Sequence, residues 1–258
     1  MCYDADARPP LPPIRGSALD AREVTLTSAD GTRVAAYAAR AAAPSGAGMV
    51  ILPDVRGLHP FFEELALRFA EAGVDAIAID YFSRSAGTGR RGSDFDNQAH
   101  VAQMRPPTIE ADIQAAVDYL RSADGGAAQR IYTVGFCMGG RISFLQAASP
   151  FGLSGVIGFY GPPTDTHRTG LAAPAEVAAR FTCPVLALWG GADGGIAPEA
   201  IAQFEAALSD AGVEHRSIVY PGAPHSFFDR RAADFAQASE DAWREVLAFI
   251  GVTGAATR

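Results

Sequence analysis

Cysteine is scarce in this chain: three in 258 residues, at Cys2, Cys137 and Cys183. An odd, widely spaced set of this kind does not form a disulfide framework. No apolar run is long enough to cross a bilayer, and the polar, proline-rich stretch from Met1 to Pro13 lacks the apolar region of a secretory leader. A cytoplasmic protein is the expectation. The basic residues are scattered and form no stripe, and the net charge is −8 with a pI near 5.1. Neither nucleic acid nor an anionic membrane surface is therefore expected as a partner.

What is abundant is apolar: 48% of the residues, enough for a substantial core. The length fits one α/β domain, expected over residues 21–258, preceded by an extended or disordered arm over residues 1–20. Glu23 to Thr27 and Thr32 to Ala39 alternate as half-exposed strands, and Asp30-Gly31 between them signals an antiparallel hairpin. From Met49 onward, buried strands alternate with amphipathic helices, the pattern of a mostly parallel sheet flanked by helices. The strands are expected at Met49 to Leu52, Val74 to Ile79, Ile131 to Val134, Gly155 to Phe159, Val185 to Trp189 and His215 to Tyr220. The helices are expected around Phe61 to Ala72, Ile109 to Arg121, Ile142 to Ala148, Ile201 to Leu208 and Phe235 to Ile250. Tyr81 to Asn97 reads as a long loop.

The chain is organised around Ile131 to Arg141. A β-branched run leads into Gly135-Phe136-Cys137-Met138-Gly139-Gly140, and an apolar-periodic segment follows. Two glycines clear the space that a sharp strand-to-helix turn needs, leaving Cys137 at the apex as in a nucleophile elbow. A buried structural cysteine is the competing reading. The stretch lacks the glycine spacing of a dinucleotide loop, and no Gly-Lys-Ser/Thr follows.

A nucleophilic cysteine needs a base, and the base needs an orienting carboxylate. Asp193 follows the Val185 to Trp189 strand, and His225 follows the His215 to Tyr220 strand. The order nucleophile, acid, histidine is that of doubly wound hydrolases. Asp193 could instead cap a helix. His59, His100, His167 and His215 read as surface or packing residues, and Cys183 as a core residue. The oxyanion donors are expected to be the backbone N–H groups of Met138 and Val55.

Gly-Phe-Cys-Met-Gly-Gly-Arg, Pro53 to Gly57, Asp80 to Arg84, Trp189 to Asp193 and Gly222 to Phe227 together resemble the dienelactone hydrolase family of α/β-hydrolases. The resemblance spans about Glu23 to Ile250. It implies hydrolysis of an enol-lactone or related ester through a thioester acyl-enzyme, without metal or cofactor. It puts the family's Cys, Asp and His on Cys137, Asp193 and His225, and its nucleophile-adjacent acid on Asp54. The arginine holding the substrate carboxylate falls on Arg84. A second family arginine meets Asp229 here, with Arg230 one residue later. Tyr160 is a candidate pocket wall.

The leading reading is a Cys-His-Asp hydrolase of a small, anionic lactone or ester, acting as a monomer or homodimer. A general short-acyl carboxylesterase or thioesterase of the same fold competes with it, as does a non-catalytic binding protein on that fold.

Overall fold

The computed structural model describes residues 3, 6–13, 18–91, 95–165, 169–229 and 233–252. Eight strands form one sheet: β1 (Ala18–Thr27), β2 (Arg33–Ala41), β3 (Ala47–Leu52), β4 (Asp75–Ile79), β5 (Arg130–Phe136), β6 (Gly155–Phe159), β7 (Val185–Gly190) and β8 (His215–Tyr220). Their order is β1-β2-β4-β3-β5-β6-β7-β8. The β1/β2 and β2/β4 pairs are antiparallel, and every later pair is parallel. The fold is the α/β-hydrolase fold, with the hairpin at one edge.

Burial follows from the sequence pattern. Every residue of β3, β4, β6 and β7 is buried, as short continuous apolar runs require in a sheet covered on both faces. Successive residues of β3 serve opposite cores, Met49 and Ile51 one, Val50 and Leu52 the other. The first core receives Phe61, Phe62, Leu65 and Phe69 from α1 (Pro60–Glu71). The second receives Ile109, Ile113, Val117 and Leu120, from α4 (Pro106–Arg121). Each such side chain contributes on the order of 1.5–3 kcal/mol by leaving water. The remaining long helices are α5 (Met138–Gln146), α7 (Pro198–Asp210) and α8 (Ala236–Phe249). The prolines that open α1, α4 and α7 occupy first-turn positions, where a missing N–H costs no hydrogen bond.

One expectation needs correction. The stretch Tyr81 to Asn97 is not all loop: it contains α2 (Ser83–Ala86), and α3 (Asn97–Val101) follows at its end. Asp96 caps α3 by accepting from the Gln98 and Ala99 N–H groups, a signal hidden in a polar segment too short for periodicity. Pro174–Val177 forms a further short helix, α6, continued by a 3-10 turn over Ala178–Arg180. In the N-terminal arm, Tyr3 and Ala7 are buried in the first core.

Candidate active site

The carboxyl ends of β3, β5, β6, β7 and β8 share one edge of the sheet, and each passes into a loop or helix carrying a candidate residue. Cys137 turns β5 into α5. Its φ of +55° with ψ of −117° is a conformation that residues with a Cβ rarely adopt, which costs on the order of 1–3 kcal/mol and persists only where neighbours dictate it. Here they do. The Cys137 N–H donates to the Phe159 carbonyl at 3.0 Å, and its carbonyl accepts the first helical bond from the Arg141 N–H at 3.1 Å. A Cβ on Gly139 would lie inside contact distance of the Leu52 and Pro53 carbonyl oxygens, so the end of β3 presses directly on the first turn of α5. Met138, buried, is the first residue of that helix, whose opening N–H groups have no intrahelical acceptor. Its partner from the expected oxyanion pair, Val55, lies half-buried in the abutting loop.

Asp193 and His225 meet. The His225 Nδ1 lies 2.7 Å from the Asp193 Oδ2. An ionised carboxylate only accepts, so Nδ1 carries a proton, and in the neutral ring it is Nε2 that keeps the lone pair. Backbone bonds hold the two loops together: Gly191 N–H to Tyr220 O at 2.8 Å and Ala192 N–H to Ala223 O at 2.9 Å. Burial pushes the Asp193 carboxyl up. The hydrogen bonds from His225 and the Gly195 N–H, with the charge of His225, more than offset this and leave it below its ordinary value. A depressed carboxyl stabilises the fold above the unfolded-state value, and that contribution is lost as pH falls through the folded value. Asp193→Asn is therefore expected to lower the urea midpoint at pH 7, by a difference that narrows as the pH falls through the folded value. A difference that does not narrow toward acid would contradict the assignment.

Tyr160, which follows β6 with φ of +39°, is fully buried, with its ring 4.7 Å from the His225 ring. Burial holds its phenol well above the usual value, and Tyr3, Cys137 and Asp54 push it further. The expected pocket wall thus lies beside the histidine and within electrostatic reach of both the thiol and the acid.

Asp54 is almost fully buried. Its Oδ1 accepts from the Arg56 N–H at 2.9 Å, and the Arg56 Nε stands 3.6 Å from Oδ2. The sequence reading missed two of its neighbours. His59, taken there as a surface or packing residue, has Nε2 3.7 Å from the Asp54 Oδ1 and 3.3 Å from an Arg56 Nη. The Arg56 Nε is buried without a hydrogen-bond partner. Position was the available signal, since Arg56 is the next residue after Val55.

Arg84 is elsewhere and is occupied. Its guanidinium donates to the buried Asp112 carboxylate at 2.8–3.2 Å, to Asp30 at 2.5–3.3 Å and to the Thr32 hydroxyl at 3.0 Å. These bonds tie α2 to α4 and to the hairpin turn, beside a cavity of about 120 Å³ that Cys137, Asp193 and His225 do not line. Arg84→Ala would leave Asp112 buried without its cation, a loss of about 3–5 kcal/mol. Urea unfolding should report that loss while the preference between anionic and neutral substrates stays unchanged. Arg230 lies outside the described residues, as do Cys2 and His167. Asp229 is buried at the end of the His225 loop. Cys183 packs in the first core, where burial pushes its thiol up to about 11. His215 bonds Val213 O, and His100 stacks on Phe95. Among the described residues, no group of three or more His, Cys, Asp or Glu side chains could hold a metal ion, and no helix is long and apolar enough to cross a membrane.

An eight-stranded, mostly parallel sheet with an elbow after β5, an acid after β7 and a histidine after β8 defines an α/β-hydrolase. The chain belongs to the dienelactone hydrolase family, whose model matches residues 34–253. It is 30% identical over 232 residues to a protein of Escherichia coli K12 named "Putative carboxymethylenebutenolidase", covering 86% of this chain and 84% of that one. A relative from Bradyrhizobium, "Probable 2-oxo-3-(5-oxofuran-2-ylidene)propanoate lactonase", is 28% identical over 78% of this chain and 82% of its own. A Klebsiella pneumoniae crystal structure named "Putative Dienelactone Hydrolase" superposes with a TM-score of 0.79 at 27% identity, covering 91% of this chain and 99% of that one.

Proposed function

We propose that this hydrolase opens a small carboxylated lactone or ester by nucleophilic attack of Cys137. The 2.7 Å contact between His225 and Asp193, beside the elbow at the same sheet edge, carries this reading. His225 Nε2 takes the thiol proton, and Asp193 holds the imidazole in that tautomer and stabilises the imidazolium. The thiolate attacks the acyl carbon, and the N–H groups of Met138 and Val55 bind the oxyanion. Collapse expels the alkoxide or enolate, which His225 protonates, leaving a thioester on Cys137. Water, deprotonated by His225, then hydrolyses the thioester. Burial keeps the Tyr160 phenol protonated through the cycle, and Tyr3, Cys137 and Asp54 act in the same direction.

Arg56 suits the substrate carboxylate better than Arg84, because its contacts are long, 3.6 Å from Nε to Asp54 and 3.3 Å from an Nη to His59, whereas the Arg84 fork is bonded closely to Asp112, Asp30 and Thr32. The Bradyrhizobium relative's name contains both a lactone ring and a propanoate, which supports an anionic substrate. The test compares a dienelactone with a neutral short-chain aryl ester. Arg56→Ala should lower kcat/KM for the lactone about 10- to 100-fold, the worth of a hydrogen bond to a charged group, and leave the ester little changed. Equal loss on both substrates would remove the carboxylate clamp. The commitment of Arg84 to Asp112 favours a second reading, a general short-acyl esterase or thioesterase, which predicts fast ester cleavage and no advantage for the lactone.

A further inference from the structure

We propose that Tyr3, reaching in from the N-terminal arm, is the specificity-determining wall of the acyl pocket, its ring occupying space beside Cys137 that a larger acyl group would otherwise use. The proposal rests on the reading of Cys137 as nucleophile. The Tyr3 ring stacks on Phe61 with centroids 4.0 Å apart. It also meets Phe62 edge-on at 6.4 Å, Phe136 at 6.2 Å and Tyr160 at 6.4 Å. Its hydroxyl is hydrogen-bonded to the Tyr160 hydroxyl. Two walls of this cage belong to the site: Phe136 immediately precedes Cys137, and the Tyr160 ring packs on His225 at 4.7 Å. Tyr3 is only 3% exposed, so it fills the cage rather than resting on its rim.

The four walls stand on α1, at the end of β5 and after β6, so the sheet and its helix build the cage and the arm only fills it. Among the described residues, the arm is also anchored by the buried Ala7 and Pro9, the half-buried Leu11, and an ion pair of 2.6 Å between the Arg8 Nε and Glu64 on α1. An ordinary core aromatic comes from a strand or helix whose loss would unravel its neighbours. Tyr3 can be cut back with the sheet intact, leaving a hole the size of its ring next to the thiol.

The experiment compares p-nitrophenyl acetate with p-nitrophenyl phenylacetate on wild type, Tyr3→Ala and Tyr3→Phe. Tyr3→Ala should raise the phenylacetate-to-acetate ratio of kcat/KM about tenfold or more, the scale on which apolar pockets discriminate by size. Tyr3→Phe, which keeps the ring, should leave the ratio within about twofold of wild type on the same scale. In a parallel thermal-shift measurement p-cresol, the severed side chain, should raise the Tm of Tyr3→Ala saturably and leave wild type unmoved. An unchanged ratio in Tyr3→Ala, or p-cresol stabilising it no more than wild type, overturns the proposal. Turnover that survives in Cys137→Ala would instead defeat the mechanism above, a failure that p-cresol binding does not share, since it needs no thiol.

Discussion

Cys137→Ala is expected to lower kcat/KM for lactone and ester alike by about 10⁴-fold or more, with the folded structure retained. Removing the nucleophile of a triad eliminates the covalent route, and what remains comes from the oxyanion donors and substrate binding. His225→Ala in the Cys137→Ala background should then cost almost nothing further, because residues that act as one unit are strongly non-additive. The thiol contributes little to folding, since Cys137 is only half-buried at the turn. Its backbone matters more: alanine retains the Cβ and the strain of φ +55°, whereas Cys137→Gly should be more stable than Cys137→Ala by about 1 kcal/mol. Steady-state kinetics and thermal unfolding of the three variants check both parts. Activity within tenfold of wild type in Cys137→Ala would end the case for a thioester.

The second large effect is expected from adding a single methyl group. Gly139→Ala would drive its Cβ into the Leu52 and Pro53 carbonyl oxygens, both backbone atoms at the end of the central strand β3. Neither can rotate away, so the first turn of α5 and the Asp54 loop must separate. Overpacking of this kind costs about 1–3 kcal/mol, and the rigid partners place this case at the upper end. The same separation moves the N–H of Met138 away from that of Val55. Losing one such donor is worth about 10²- to 10³-fold in kcat. Gly139→Ala should therefore lose both stability in urea and turnover, with KM much less affected. A variant that unfolds like wild type and turns over normally would show that the two segments do not form a common oxyanion site.

The sheet was legible because its information is local. β6 and β8 fall on the expected residues, and β3, β4, β5 and β7 differ from expectation by only a few residues at their ends. Short apolar runs between turn signals leave little choice. The pairing of Asp193 with His225 followed from chain order, since both lie just beyond strands that end at one edge. What could not be read depended on contacts remote in sequence. Asp30 and Asp112 occupy Arg84 from 54 and 28 residues away, and nothing around Asp80-Tyr81-Phe82-Ser83-Arg84 announces them. His59 looked like a surface residue until the folded loop brought it near Asp54. Tyr3 sits in a stretch whose prolines and lack of periodicity suggest no partner, and it meets one 157 positions later.

That separation also has a consequence in time. A chain made from its amino end exposes Tyr3 before the residues that seat it: Phe61 and Phe62, then Phe136, then Tyr160. Another 157 residues must be synthesised, and β5 and β6 paired, before Tyr3 can dock. Contacts this far apart in sequence are the slow ones, because the closure entropy comes before the reward. The entrance to the thiol thus passes through a period of folding in which its elbow exists and its plug is still outside.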